Sequence, residues 1–212
     1  MTRHTSTSKT RGPYRLQRRA EREAATRQAI VEAAVTLHQE IGPLATTVSA
    51  LAQRAGVSRP TVYAHFPDDA VLLVACTAHY RASHPPPDPS TWLEIADPWR
   101  RLPTALLTIF AFWADTAPMA ASILRDARRA PERFGRVGFA MFMEACRDVL
   151  LTGWAWRGRN HRGRVTAVIA HAVAFDTWAS LVREGGMTQD DAVVVLMAAI
   201  RAADARPSSG PG

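Results

Sequence analysis

Side chains able to do acid–base, nucleophilic or metal chemistry are scattered through this chain without the spacings such chemistry needs. The seven histidines stand at positions 4, 38, 65, 79, 84, 161 and 171. None forms a His-x-x-x-His pair or joins a cysteine at metal-ligand spacing. Cys76 and Cys146 are far apart in apolar surroundings, so no disulfide framework and no metal site are expected, and a reducing cytoplasm fits. A Gly-x-Ser-x-Gly elbow, a phosphate loop and a dinucleotide fingerprint are all missing. Catalysis, a metal and a cofactor are therefore not expected. One run stands apart, Ser58-Arg59-Pro60-Thr61-Val62-Tyr63-Ala64-His65-Phe66. Val62 and Phe66, four apart, can hold a helix onto a core, leaving Arg59, Thr61, Tyr63 and His65 to face outward.

Three short helices must position that run. Ile30, Ala33, Ala34, Leu37 and Ile41 recur at i, i+3, i+4, i+7 and i+11, the stripe of a helix beginning near Ala24 and ended by Gly42-Pro43. Val48, Leu51, Ala52 and Ala55 repeat the pattern in a short second helix, with Thr46 or Thr47 as its N-cap and Gly56 as its stop. Ser58 caps a third helix from Arg59 to about Phe66, and Pro60 falls in its first turn, where a missing N–H costs nothing. Two helices joined by the tight Gly56-Val57-Ser58 turn make a helix-turn-helix, a motif that can offer its second helix to the major groove of double-stranded DNA, although any three-helix bundle uses the same glycine turns and apolar pairs.

Charge placement agrees. The net charge is +7. Residues 1–66 hold ten Arg/Lys against four Asp/Glu, a net of +6, and residues 67–212 hold sixteen against fifteen, a net of +1. The excess at the N-terminal end is the footprint expected of a phosphate-binding surface. Residues 1–22 are polar and basic and read as a flexible segment, either a plain disordered tail or an arm whose Arg15, Arg18, Arg19 and Arg22 bind DNA phosphates or the minor groove.

The run from Thr46 to Phe66, with Thr-Thr-Val, then Leu-Ala before Ala-Gly-Val-Ser, then Thr-Val-Tyr before His-Phe, resembles the DNA-binding domain of the tetracycline-repressor-like (TetR) family of bacterial regulators. The likeness is tight over about residues 27–75. It implies that Thr47, beside Thr46, meets a phosphate at the start of the second helix. It also implies that Tyr63 and His65 meet backbone, and that Arg59, Pro60 and Thr61, following Ser58, face bases. Arg59 is the expected reader of guanine O6 and N7. The chain departs from the family at Asp69, where many members carry a lysine that meets a phosphate, so the basic arm is expected to compensate.

Beyond residue 67 the pattern is helical throughout, over about 68–82, 98–115, 118–129, 132–156, 163–184 and 189–204, broken by the proline-rich 84–90. The fold class is all-α. The expected organisation is an arm over 1–22, a helix-turn-helix domain over 23–67, a helical effector-binding and dimerisation domain over 68–205, and a disordered tail over 206–212. The body is rich in aromatic and Met residues. The resemblance implies an effector pocket there, for which Trp113, Phe139, Met143, Phe175 and His171 are candidates. Ala174, Trp178 and Leu181, with Val195, Leu196 and Ala199, lie on broad apolar faces suited to a four-helix homodimer interface. The function implied is a cytoplasmic homodimeric repressor, released from a palindromic operator by a small apolar or aromatic effector. An activator or ligand-independent regulator of the same fold is the alternative. No apolar run reaches membrane-spanning length without charge, so no membrane is expected as a partner.

Overall fold

The computed structural model of the protein describes residues 11–134 and 138–205. Every regular element among them is helical. The chain divides into two compact units, one ending at Tyr80 and the other beginning at Arg81.

The first unit holds α1 (Arg11–Glu40), α2 (Val48–Ala55), α3 (Arg59–His65) and most of α4 (Asp69–Ser83). Ile30, Val31, Ala34 and Leu37 of α1 meet Leu51 and Ala52 of α2, Val62 of α3 and Phe66 in one core. Leu72 and Cys76 of α4 join that same core. The boundary expected at 67/68 is thus displaced. A helix goes with whichever core buries its apolar face, and α4 turns Leu72 and Cys76 inward here.

The expected arm needs a second correction. Residues 11–22 are the opening turns of α1, continuous with the helix expected to start at Ala24. The reason is local. Once Ile30 to Leu37 are anchored, each added residue needs no new nucleus, and Leu, Gln, Arg, Ala and Glu propagate helix well. Gln17 donates to Glu21 (3.1 Å) and Arg19 pairs with Glu23 (2.9 Å), both at i, i+4. The first ten residues of the expected arm, and the expected tail over 206–212, lie outside the described residues.

The second unit opens with a 3-10 turn (Pro89–Glu94). It continues through α5 (Pro98–Arg129), α6 (Pro131–Phe134), α7 (Gly138–Leu150), α8 (Arg159–Ala172), α9 (Phe175–Trp178, prolonged by a π-helical stretch Ala179–Glu184) and α10 (Gln189–Asp204). α5 runs unbroken through Pro118, where two helices were expected. Proline there forfeits one backbone bond, a cost of about 3 kcal/mol. Trp113, Thr116, Met119 and Ala120 are all buried around it, and the apolar area they remove from water outweighs that loss.

The helix expected over 163–184 is instead broken at Val173-Ala174, with the two parts bent by 63°. Side chains take up the freed carbonyls: Trp113 Nε1 donates to Val173 O (3.1 Å) and Thr177 Oγ1 to His171 O (2.6 Å). Arg101, only 3% exposed, donates to four carbonyls: Ile95, Ala96, Val149 and Thr152. It thereby joins the start of α5 to the end of α7. His161 accepts the Arg157 N–H at Nδ1 (3.0 Å) and lies 2.9 Å from Asp204 through Nε2, linking α8 to the end of α10. α5 is long and apolar enough to cross a bilayer. Its apolar face is spent in the core, however, with Leu102, Ala105, Leu106, Ile109, Phe110 and Trp113 fully buried.

Candidate nucleic-acid interface

The turn between α2 and α3 is built from three local devices. Thr47 is the N-cap of α2, its side chain accepting from Ala50 N–H (3.1 Å). Gly56 ends α2 in the left-handed region (φ 68°, ψ 30°), its N–H turned back to the carbonyls of Ala52 and Gln53. Val57 N–H adds a bond to Ala52 O (3.0 Å). Ser58 then caps α3 by accepting from Thr61 N–H (3.3 Å), and the Ser58 and Thr61 hydroxyls share a 2.7 Å hydrogen bond. Thr46 Oγ1 donates to Gly42 O (2.9 Å), drawing the loop before α2 against the end of α1. Arg54 grips Glu40 with both terminal nitrogens (3.1 and 2.7 Å), tying the C-terminal ends of α1 and α2 together. That bond holds the Glu40 carboxyl below its ordinary range and raises the Arg54 guanidinium.

α3 presents Arg59, Pro60, Tyr63 and Ala64 as its exposed face, Tyr63 being 50% exposed. Thr61 and His65 are half-buried. This corrects the alternation expected from sequence. Positions 59, 61, 63 and 65 follow a period of two, whereas a helix of 3.6 residues per turn groups 59 with 63 and 60 with 64. Ala64 was therefore missed, and applying the helical period to the buried pair Val62 and Phe66 is the signal that finds it. Thr61 spends its hydroxyl on Ser58 and belongs to the cap as well as to the surface. Arg27 of α1 lies 4.7 Å from the centre of the Phe66 ring, bracing the exit of α3. The exposed Arg18, Arg19 and Arg22 stand on the helical opening of α1. Asp69 is in the first turn of α4, whose N-terminus Asp68 caps by accepting from Val71 N–H (2.9 Å). Both acids thus have a helix-end role.

In the second unit the structure brings most of the pocket candidates together. Trp113 lies 5.7 Å from Phe139 and 5.5 Å from Phe175, ring centre to ring centre, with Phe142 at 5.6 Å. Trp113 and Phe175 are core residues, and the half-buried Phe139 and Met143 pack against that core. His171 does not join them: its side chain is exposed, because the last turn of α8 points it outward. An open groove of about 670 Å³ lies in the first unit, between α1 and α4, lined by Val31, Val71, Val74, Ala75 and Ala78 with Arg27, Gln28 and His79.

The interface candidates divide. Trp178 and Leu196 are buried in the unit's own core, 4% and 5% exposed, so the broad apolar arcs of α9 and α10 are partly satisfied internally. Ala174 and Leu181 are half-buried, while Val195 and Ala199 are exposed. Beside them Val194 is 67% exposed.

A capped α2, a left-handed glycine turn and a solvent-facing α3 on a shared core define a helix-turn-helix DNA-binding unit. Residues 30–76 match the family model described as bacterial regulatory proteins, tetR family. The chain is thus a DNA-binding transcriptional regulator carrying the tetR-family domain. No curated protein and no solved structure matches the chain.

Proposed function

We propose that the protein is a cytoplasmic homodimeric repressor. It binds a palindromic operator through α3 of each copy and leaves it when a small apolar or aromatic ligand occupies the helical body. The observation that carries the DNA half of this reading is the exposed face of α3, Arg59, Pro60, Tyr63 and Ala64, held outward by the buried Val62 and Phe66. Arg59 sits in the first turn, where a recognition helix reaches base edges, and its guanidinium suits guanine O6 and N7. Ala64 has the size and apolarity for a thymine methyl. Thr46, Thr47, Tyr63 and His65 contribute backbone contacts, which fix register without reading sequence.

Pairing of two copies is supported by α10, whose Val194, Val195 and Ala199 remain exposed although the opposite face of the helix is core. Two-fold symmetry then calls for half-sites roughly 34–36 Å apart, or further where the dimer spans more. The Trp113, Phe139, Met143 and Phe175 group is suited to an apolar ligand, which would have to part rings now in contact.

The test is a footprint of the purified protein on the DNA upstream of its own coding sequence, repeated with Arg59→Ala. A protected palindrome is expected. The variant should lose about 1–3 kcal/mol of discrimination at one base position in each half-site. Unchanged preference removes Arg59 from the reading, and no protection of any DNA overturns the proposal.

A further inference from the structure

The first half of α1 is a helix that no core holds. Every residue from Tyr14 to Ala25 is exposed, yet the same helix continues without a break into Ile30, Val31, Ala34 and Leu37 of the first unit's core. Arg15, Arg18 and Arg22 stand on it at i, i+3 and i+7, one face over about 10 Å of axis. Residues 14–27 carry five arginines and two glutamates, a net of +3. Both glutamates are engaged away from this stripe, Glu21 by Gln17 and Glu23 by Arg19.

We propose that this projecting half-helix is a rigid phosphate-gripping arm that contacts the DNA backbone flanking each half-site, so that the footprint extends past the reach of α3. The inference rests on the operator-binding reading of α3. Continuity with the helix-turn-helix core is the reason to choose DNA as the occupant, and charge complementarity is the second. At 1.5 Å per residue, Arg22 lies about 12 Å and Arg15 about 22 Å along the axis from the first core residue, Ile30. The stripe itself, about 10 Å long, matches the axial rise of about three phosphates of one strand, at about 3.4 Å of duplex axis each. A preformed helix brings its charges without the ordering entropy that a disordered arm loses on binding. An anionic bilayer would also attract the arginines. Tyr14 and Leu16, 61% and 70% exposed, are too small an apolar face to hold a helix in a membrane interface.

The full-length protein is tested on the operator fragment found by footprinting, in three forms. The triple variant Arg15→Gln/Arg18→Gln/Arg22→Gln removes charge but keeps good helix formers. Ala20→Pro keeps the charge and breaks the helix. For the triple variant the slope of log K against log salt should flatten by about 2.7 per protomer, from 0.9 for each of three phosphates, and protection should recede at the outer edges. Base preference set by Arg59 should persist. Ala20→Pro should lose outer-edge protection although its charge is intact. An unchanged slope and footprint in the triple variant overturns the inference and leaves the α3 reading standing. Full outer-edge protection by Ala20→Pro overturns the rigid-helix form of it. Binding to phosphatidylserine vesicles that the triple variant loses, with an unchanged slope on DNA, assigns the stripe to membranes and refutes it. Failure of the wild-type protein to protect any DNA overturns both readings.

Discussion

Gly56 allows the geometry of the turn to be tested separately from its packing. Its backbone is left-handed (φ 68°, ψ 30°), and a Cβ built there would have no atom within 4 Å. A substitution therefore meets backbone strain and no wall. For Gly56→Ala the cost is that of placing an L-residue in the left-handed region, about 1–2 kcal/mol. Gly56→Asn should cost less than Ala, since asparagine visits that region and bonds locally. Gly56→Val should cost more, because a β-branched residue is least tolerant of positive φ. The measurement is urea denaturation followed by far-UV circular dichroism, with the slope unchanged across the series so that the midpoint alone reports stability. Operator affinity of the alanine variant, measured well below its transition, should stay close to wild type, because the strained turn is still the folded turn. An alanine cost below about 0.5 kcal/mol, or an asparagine cost equal to that of valine, would refute the left-handed origin of the effect. A cost well above about 3 kcal/mol would mean that the substituted side chain meets atoms the structure places elsewhere.

Arg101→Met should destabilise the second unit by about 3–5 kcal/mol, since four buried carbonyls lose a charged donor at once. All six tryptophans lie beyond Tyr80, so denaturation followed by tryptophan fluorescence reads this unit, and a loss under about 1 kcal/mol would contradict the hub. Burial pushes the Cys76 and Cys146 thiols up to about 12 from 9.0. The folded state therefore holds those protons longer than the unfolded state, so the contribution is full below about pH 9 and is lost as pH rises toward 12. Both thiols should label slowly at pH 8 until denaturant is added, and rapid native labelling would sink this. Glu40, held low by Arg54, contributes above its ordinary value of 4.5 and loses the contribution as pH falls through the lowered one. Arg54→Gln should return the Glu40 titration, followed by carboxyl NMR shifts, toward 4.5, and an unmoved titration would remove Arg54 as the cause.

Much of the helix-turn-helix was legible because its signals are local. Thr47 and Ser58 cap the following turn by accepting from the N–H three residues on, Gly56 is needed for its own φ, and Val62 with Phe66 marks a buried face at helical spacing. The error on α3 came from reading alternation where the period is 3.6, and the half-buried Thr61 and His65 show its consequence. The opening turns of α1 were missed for a different reason. Lack of burial looked like lack of structure, whereas a helix anchored at Ile30 can be propagated outward by Arg, Gln, Ala and Glu alone.

By itself the sequence determined the local chemistry: an all-helical chain, the caps and turn of the α2–α3 motif, Arg59 at the head of α3, and the concentration of positive charge at one end. These follow from neighbours within a few residues and need no knowledge of distant contacts. Tertiary structure alone decided that α4 shares the first core, that α5 passes through Pro118, and that the chain bends by 63° at Val173-Ala174. It also decided that Trp178 and Leu196 face inward and His171 outward. In each case the deciding term is apolar burial, or a hydrogen bond such as that from Trp113 to Val173, between residues far apart along the chain. A helical wheel shows that a face is apolar, and only the packed unit decides what covers it.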